Sequence, residues 1–163
     1  MNARKTFLLV EDDQFDVFFV EKEFREARVN AVLRVVRDGF QAVNYLAGMG
    51  NYADRERYPL PDLILLDWTL PRMNGSEFLQ WLRRESPSEH RSIPVVVLSC
   101  SVLHAGELAQ AYGLGATSHL IKPLSWHQLD QHLRALGISR PEPKDRSQSG
   151  RGNANRHDSF RVR

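Results

Sequence analysis

The segment Pro61-Asp62-Leu63-Ile64-Leu65-Leu66-Asp67 indicates the fold of this chain more clearly than any other part of its sequence. Its consecutive apolar residues, followed by a carboxylate, are typical of a strand that is buried on both faces and then leaves its sheet. Three other apolar runs also end in polar residues. These runs are 6–10 before Glu11-Asp12-Asp13, 93–98 before Ser99-Cys100-Ser101, and 117–121 before Lys122-Pro123. Strands buried on both faces predict a parallel sheet.

Helical signals alternate with these strand signals along the chain. The predicted helices span about 14–28, 40–47, 74–84, 102–112 and 125–136, and a further strand spans about 31–37. The first helix is predicted to be amphipathic, because charged residues lie between aromatic residues at helical spacing, Phe15, Phe18, Phe19 and Phe24. Five βα units in succession predict an α/β fold with helices on both faces of a five-stranded parallel sheet.

Length and composition favour an ordinary globular domain. The chain has 163 residues, of which 42% are hydrophobic and 26% are charged, and these shares are typical of such domains. No apolar stretch approaches the roughly 20 residues of a membrane span, and the first strand begins too early to follow a signal peptide. A single cysteine, Cys100, excludes an intrachain disulfide. We therefore expect a cytoplasmic protein in which Cys100 is a small buried residue.

The positive charge of the chain is concentrated near its C-terminus. Residues 137–163 carry a net charge of +4, whereas the whole chain carries +2, so residues 1–136 are weakly negative. The folded part therefore gives no reason to expect a nucleic-acid binder. Low apolar content predicts a domain at 1–137 and a disordered basic tail at 138–163. Phe160 is the tail's lone aromatic residue, which argues against RNA binding, although a weak contact with an acidic partner or with nucleic acid stays open.

Sites in open parallel sheets form at the carboxyl ends of the strands. Glu11, Asp12 and Asp67 should therefore meet, and three unpaired carboxylates would raise one another's pKa. A divalent cation relieves that repulsion, and oxygen ligands favour Mg²⁺. The cluster predicts a metal site beside a carboxylate nucleophile of the kind that forms an aspartyl phosphate. Lys122 can pair with a phosphoryl oxygen, and Ser99 can donate a hydrogen bond.

Each of these residues also has an ordinary structural explanation. Asp12 or Asp13 alone would be a turn former or a helix N-cap. Lys122 alone would be a solvated loop lysine, and Ser99 alone would be a turn hydroxyl. Such structural explanations account for single residues, but they account poorly for the joint pattern. In that pattern four strand ends carry acid, acid, hydroxyl and lysine in that order, with a proline after the lysine.

The same residues resemble the response-regulator receiver domain family. The resemblance covers about residues 5–136 and is carried by Leu9-Val10-Glu11-Asp12-Asp13, by 62–75, by Val95-Val96-Val97-Leu98-Ser99 and by Lys122-Pro123. It implies a flavodoxin-like, doubly wound sheet with strand order 2-1-3-4-5. Within the family, the long loop at 49–61 and the turn at 70–75 are similar to those of stand-alone receivers that partner bacterial phytochromes.

The resemblance implies a phosphoacceptor and a set of metal ligands. Asp67 would be the phosphoacceptor and a metal ligand, Glu11 and Asp12 the other metal acids, and Thr69 the donor of a backbone carbonyl to Mg²⁺. Glu11 stands where aspartate is commonest and lengthens one arm of the site. Trp68, directly after the acceptor, has enough bulk to shield an acyl phosphate or to block small donors.

The resemblance also implies a switch. Lys122 would contact the phosphoryl group, and Ser99 would be the switch hydroxyl, in place of the commoner threonine. His119 falls where the family usually has an aromatic switch residue. It keeps a planar ring that can titrate near neutral pH. The alternative, that His119 is simply a partly exposed strand histidine, stays open.

The implied function is signalling rather than enzymatic turnover of a separate substrate. A sensor histidine kinase, of the phytochrome type by the narrower resemblance, would phosphorylate Asp67. Without an output domain, the chain is expected to act in trans on an unknown downstream protein through 102–112, 117–121 and 125–136. A homodimer through this face also stays open. The candidate contact residues there are Leu103, Tyr112, Trp126 and His127.

Three other functions compete with this one as explanations of the same residues. A hydrolase with an aspartyl nucleophile would need a second aspartate two residues on, where this chain has Thr69. A dinucleotide binder would need a G-x-G-x-x-G motif after the first strand, where Glu11-Asp12 would instead repel a phosphate. A pseudo-receiver, which binds partners without phosphorylation, stays open as the alternative.

Overall fold

Five strands and five helices alternate along the chain, as predicted. The computed structural model describes residues 4–141. The strands are β1 (Lys5–Val10), β2 (Ala31–Val36), β3 (Leu63–Asp67), β4 (Val95–Ser99) and β5 (Ser118–Ile121). The helices are α1 (Gln14–Glu26), α2 (Gly39–Ala47), α3 (Gly75–Arg84), α4 (Ala105–Gly113) and α5 (Trp126–Ala135), and a 3₁₀ turn (Gly50–Tyr52) follows α2. All the strand pairs are parallel, in the order β2-β1-β3-β4-β5, which confirms the flavodoxin-like fold.

The central strands are apolar throughout because both of their faces are covered. Successive residues of a strand face opposite sides of its sheet. Ile64 and Leu66 pack in one core cluster with residues of α2, α3 and α4. Leu63 and Leu65 pack in a second cluster with residues of α1 and α5. The continuous apolar run in β3 is therefore required by two separate cores, one on each side.

Helix α1 is amphipathic as predicted, but its aromatic residues do not all face the core. The buried residues of α1 are Val17, Val20 and Phe24, spaced by three and four positions. Three other phenylalanines are 47–67% exposed: Phe15, Phe18 and Phe19. Both sets have helical spacing, so the spacing predicts a helix without deciding which of its faces is buried.

The loop after β4 is longer than predicted. Helix α4 begins at Ala105 rather than near residue 102, and the backbone N–H of His104 donates a hydrogen bond to the carboxylate of Glu107 in its first turn. Cys100 lies in this loop and is exposed, so the expectation that it is buried was wrong. The reason is that β4 and its double-sided burial end at Ser99.

The described chain continues past α5 against the domain. Ile138 packs against the core cluster on the α1/α5 side, and Arg140 lies 2.8 Å from Asp130. The predicted tail lies mostly in residues 142–163, outside the described residues, so the boundary at 137 stays a prediction. Within 4–141, none of the helices has both the length and the apolar character that crossing a membrane requires.

Candidate functional site

The strand register gathers the predicted site residues at one edge of the sheet. Strands β1 and β3 are in register up to their last residues, so Glu11 follows β1 beside Asp67. Strands β4 and β5 end together as well, so Ser99 lies next to the residue that precedes Lys122. The backbone N–H of Lys122 also donates to the carbonyl of Ser99, at 2.8 Å. Four segments that are far apart in sequence therefore become neighbours.

Three carboxylates meet at this edge. One oxygen from each of Glu11, Asp12 and Asp67 can be chosen so that all three lie within 4.8 Å of one another. Glu11 and Asp67 are only 1% and 4% exposed, whereas Asp12 is exposed. Two buried acids and one exposed acid form a pocket that opens to solvent on one side, as a hydrated Mg²⁺ requires.

The two buried acids are electrostatically unfavourable as they stand. Burial raises the pKa of Glu11 to about 7, and burial also raises the pKa of Asp67. Oδ1 of Asp67 accepts a hydrogen bond from the N–H of Thr69, and Oε1 of Glu11 accepts one from the N–H of Asp13. Oε2 of Glu11 is buried and accepts no properly oriented hydrogen bond. The ammonium of Lys122 gives this oxygen one positive partner, but three carboxylates meet here, so these residues fit a divalent metal that would compensate the remaining charge.

Lys122 lies among carboxylates at the same edge. Its Nζ is 2.5 Å from Oε2 of Glu11, 2.8 Å from Oδ2 of Asp16 and 3.3 Å from Oδ2 of Asp67. Of these contacts, the one with Asp16 has the geometry of a hydrogen bond. Burial alone would lower the pKa of Lys122, but its ion pairs with Asp16 and Glu11 raise the pKa above the usual range. Lys122 is therefore an ammonium at any physiological pH.

Sequence reasoning missed Asp16. Helix α1 begins after Asp13, whose Oδ1 accepts hydrogen bonds from the N–H groups of Phe15 and Asp16 at 2.7 and 3.2 Å. This cap fixes the first turn over the sheet edge, where the carboxylate of Asp16 reaches Lys122. An acidic residue in the first turn is ordinarily explained by the helix dipole, so its type and position gave no separate signal.

Ser99 and His119 form a pair of their own. Oγ of Ser99 lies 2.8 Å from Nε2 of His119 and donates a hydrogen bond to the carbonyl of Ser101 at 2.6 Å. By strand alternation both residues face the α4 side of the sheet, whereas Asp67 faces the α1/α5 side. Burial lowers the pKa of the His119 imidazole, which therefore stays neutral near neutral pH.

The loop after Asp67 depends on a glycine. A Cβ on Gly75 would lie 2.7 Å from the carbonyl oxygen of Asp67 and 2.9 Å from Cα of Trp68. Only glycine lets α3 begin this close to Asp67. Asn74 and Glu77 complete a capping box that starts α3 at this point. The half-buried Trp68 packs against the core, and the shielding role predicted for it stays a prediction.

The face predicted for output is only partly exposed. Leu103 is buried, and the ring of Trp126 packs 5.3 Å from that of Phe24. Tyr112 and His127 are exposed, as the prediction of a contact surface requires. The exposed residues of this face are therefore fewer than the sequence pattern indicated, because two of the four candidates belong to the core or pack against it.

A cavity of about 570 Å³ lies beside the acidic pocket, between α1 and the segment after β5. Asp16 and Lys122 line its inner part, and Phe19 and Cys100 line it nearer the surface. It therefore leads from the exposed aromatic side of α1 to the ammonium group that faces Asp67.

Comparison with known proteins agrees with this geometry. Residues 7–134 match the family model described as the response regulator receiver domain. The chain is 36% identical to response regulator Rcp1 of Synechocystis sp. over 135 residues, which cover 83% of this chain and 88% of that protein. A structure described as the Mn(2+)-bound form of Rcp1 aligns with a TM-score of 0.67 at 29% identity, over 85% of this chain and 99% of that one.

Two other solved structures are phytochrome response regulators. The bacteriophytochrome response regulator RtBRR aligns with a TM-score of 0.75 at 36% identity, over 88% of this chain and 84% of that one. The phosphorylated cyanobacterial phytochrome response regulator RcpA aligns with a TM-score of 0.67 at 34% identity, over 82% of this chain and 91% of that one. The chain thus belongs to the response regulator receiver domain family and is related to phytochrome response regulators.

Proposed function

We propose that the chain is a response regulator in which Asp67 accepts a phosphoryl group from a sensor histidine kinase in a Mg²⁺-dependent reaction. One observation supports this most directly. The buried carboxylate of Asp67 lies among the oxygens of Glu11 and Asp12 and 3.3 Å from the ammonium of Lys122. Phosphoryl transfer needs positioned acceptor oxygens and compensating charge, and both are present here.

The three carboxylates and the backbone carbonyl of Thr69 would hold Mg²⁺. Bound there, the ion would neutralise the negative charge that the transferred group brings to the site. Oδ1 of Asp67 is held by the N–H of Thr69, and Oδ2 faces Lys122, so both acceptor oxygens have fixed surroundings. The protein's own contribution is thus to orient the nucleophile and to supply one ammonium group.

In the transfer step, a carboxylate oxygen of Asp67 attacks the phosphorus of a phosphohistidine. The new O–P bond forms as the P–N bond breaks, and its electron pair returns to the imidazole nitrogen of the donor. The ammonium of Lys122 pairs with a phosphoryl oxygen during and after transfer. Attack of water on the same phosphorus later restores the carboxylate of Asp67 and releases phosphate, which resets the signal.

The negative charge of a phosphoryl group on Asp67 would attract the hydroxyl of Ser99. Its hydroxyl would leave the carbonyl of Ser101 and donate to a phosphoryl oxygen, a charge-assisted bond that is stronger than a neutral one. The bond to His119 would break in the same movement. That change biases the arrangement of β4, β5 and the helices beside them.

The proposed donor is a histidine kinase, of the bacteriophytochrome class by its relatives' descriptions. The donor must cover the acidic pocket to bring its phosphohistidine to Asp67. The exposed rings of Phe15, Phe18 and Phe19 lie on α1, the helix whose Asp16 contacts Lys122, and offer an apolar surface for the donor domain. Exposed aromatic clusters of this kind mark contact surfaces.

The proposed output is in trans, through α4, β5 and α5. Tyr112 and Ile121 are 48% and 41% exposed on this face, and His127 is exposed on α5. The face would bind either a second copy of the chain or a downstream protein after phosphorylation. The proposal makes the chain a signalling protein that catalyses at most its own phosphorylation and dephosphorylation.

Incubation with Mg²⁺ and acetyl phosphate, followed by intact mass spectrometry, tests the proposed function. The expected result is the gain of one phosphoryl group that requires Mg²⁺ and disappears in an Asp67→Asn variant. If Trp68 blocks small donors, a phosphorylated histidine kinase domain serves as the donor instead. A chain that gains nothing from either donor would be a phosphorylation-independent interaction module, the alternative function.

A further inference from the structure

Asp16 is a fourth carboxylate at the acidic edge, and it does not belong to the metal cluster. The ligand oxygens that meet are those of Glu11, Asp12 and Asp67. Asp16 instead contacts Lys122 and accepts its one well-oriented side-chain hydrogen bond among the described residues, at 2.8 Å. The side chain of Asp16 is 31% exposed, whereas that of Lys122 is only 9% exposed. Asp16 thus lies on the solvent side of the lysine.

The ammonium of Lys122 is shared between two competing groups. Its inner partners are Glu11 and Asp67, whose negative charge a bound cation would largely compensate. Its outer partner is Asp16, whose charge no metal compensates. When the pocket holds a cation, the attraction of the lysine toward Asp67 therefore weakens, while its attraction toward Asp16 is kept.

We propose that Asp16 is a positioning residue that anchors Lys122 at the rim of the pocket and competes with the phosphoryl group for its ammonium. This inference rests on the proposed function, because it assigns Lys122 to the phosphoryl group. Asp16 does not touch the phosphorus. It acts through Lys122 and sets how strongly that residue holds the phosphorylated state.

Removing the charge of Asp16 should change two binding events in opposite directions. Without its outer anchor, Lys122 would pair more closely with Glu11 and Asp67, and would compete there with Mg²⁺. The same freedom would let the lysine pair more fully with a phosphoryl group on Asp67. A variant that lost its fold or the shape of its pocket would bind both Mg²⁺ and the phosphoryl group more weakly. Opposite changes in the two affinities therefore distinguish a positioning role of Asp16 from a merely structural one.

The experiment compares the wild type with Asp16→Asn, using Mg²⁺ alone and then beryllofluoride at saturating Mg²⁺, both by titration calorimetry. We expect Asp16→Asn to weaken Mg²⁺ binding about 3- to 10-fold and to tighten beryllofluoride binding by a similar factor, which is the effect of losing one partly exposed hydrogen bond of ordinary net strength. The acetyl-phosphate-labelled protein should lose its phosphoryl group more slowly. Asp16→Glu, which keeps the charge, should restore wild-type behaviour.

The matched control is Asp13→Asn. It removes one negative charge from the same end of α1 at a residue that the described ion pairs do not connect to Lys122. Asparagine keeps the side-chain oxygen that caps α1, so the position of Asp16 should be preserved. Equal effects in both variants would mean that only general charge matters, and would overturn the inference. Weakening of both ligands in Asp16→Asn, or no change in either, would overturn it as well.

The same experiment distinguishes failure of the proposed function from failure of the inference about Asp16. A wild type that binds Mg²⁺ but takes up neither beryllofluoride nor a phosphoryl group would contradict the proposed function. The Mg²⁺ titration alone would then still decide whether Asp16 restrains Lys122.

Discussion

Oγ of Ser99 lies 2.8 Å from Nε2 of His119, on the side of the sheet that faces away from Asp67. A serine hydroxyl has one proton to donate, and the carbonyl of Ser101, 2.6 Å away, receives it. Nε2 of His119 must therefore carry the proton of their shared bond. Two hydrogen bonds hold the hydroxyl in its resting orientation, and the proposed movement toward a phosphoryl group on Asp67 would break both.

Replacing His119 by phenylalanine should make the switch easier to operate. The ring would keep its packing, but the resting hydroxyl would lose one hydrogen bond, whose net contribution is about 0.5–1.5 kcal/mol. Beryllofluoride should therefore bind about 2- to 10-fold more tightly. Titration by NMR measures this, since the Ser99 resonances report the hydroxyl's surroundings.

The chain offers a matched control for that variant. Oγ of Ser118 lies 2.6 Å from Nδ1 of His132, which forms a second serine–histidine pair between β5 and α5. Its replacement, His132→Phe, removes the same kind of bond away from the acceptor and should leave beryllofluoride affinity unchanged. Equal tightening in both variants would show that the bond to Ser99 has no special role.

The stability of the metal-free protein should depend on Glu11 and on pH. Burial raises the pKa of Glu11 from 4.5 to about 7, so the native state binds more protons than the unfolded state between these values. The free energy of unfolding should therefore fall as pH rises from about 4.5 to about 7, by at most about 3 kcal/mol. The raised pKa of Asp67 acts in the same direction.

Urea unfolding at pH 5.5 and 8.0 in the presence of a chelator measures this effect. Glu11→Gln cannot ionise, so its stability should change less between the two pH values than that of the wild type. Saturating Mg²⁺ should restore stability to the wild type at pH 8.0, because it compensates the ionised carboxylates. The explanation would be wrong if Glu11→Gln lost as much stability with rising pH as the wild type does.

The exposed aromatic surface of α1 should matter to a protein donor and not to a small one. Phe18→Ser should slow phosphoryl transfer from a phosphorylated histidine kinase domain about tenfold, the loss expected for an anchoring aromatic residue at an interface. The rate with acetyl phosphate should not change. Phe40→Ser is the control, since Phe40 is as exposed as Phe18, at 53%, but lies on α2. Equal slowing in both variants would exclude a specific docking surface on α1.

The surface formed by α4, β5 and α5 should bind a second copy of the chain only through its exposed residues. Ile121→Glu introduces a charge at a 41% exposed position of β5 and should weaken any dimer formed after beryllofluoride activation. Sedimentation velocity with and without beryllofluoride measures the association. If the wild type sediments as the same species in both states, phosphorylation does not control self-association, and the face would serve a different protein.

Much of the fold and of the acidic edge could be predicted because both follow from strand burial. The apolar run that ends at Asp67 predicts a doubly covered strand, and parallel geometry brings the ends of such strands together. The side of a helix or strand that a residue faces is harder to predict. Phe24 is buried and Phe18 is exposed, although both belong to one helical pattern.

The contacts that the sequence did not predict depend on helix rotation and side-chain direction. Asp16 reaches Lys122 from the first turn of α1, whose N–H groups the side chain of Asp13 caps. The bond between Ser99 and His119 depends on the face shared by two neighbouring strands, which single-residue motifs do not encode. Both features depend on how helices and side chains pack, whereas the acidic cluster follows from parallel strands that end at the same edge of the sheet.

Asp67 is the residue that we propose to carry the phosphoryl group, and its modification can be located chemically. Reduction of the phosphorylated chain with borohydride converts an aspartyl phosphate into homoserine, and peptide sequencing by mass spectrometry then locates it. We predict homoserine at position 67, dependent on Mg²⁺ and strongly reduced when Lys122 is replaced by alanine. Phosphorylated protein that gave homoserine at position 12, or no reducible acyl phosphate at all, would contradict the account.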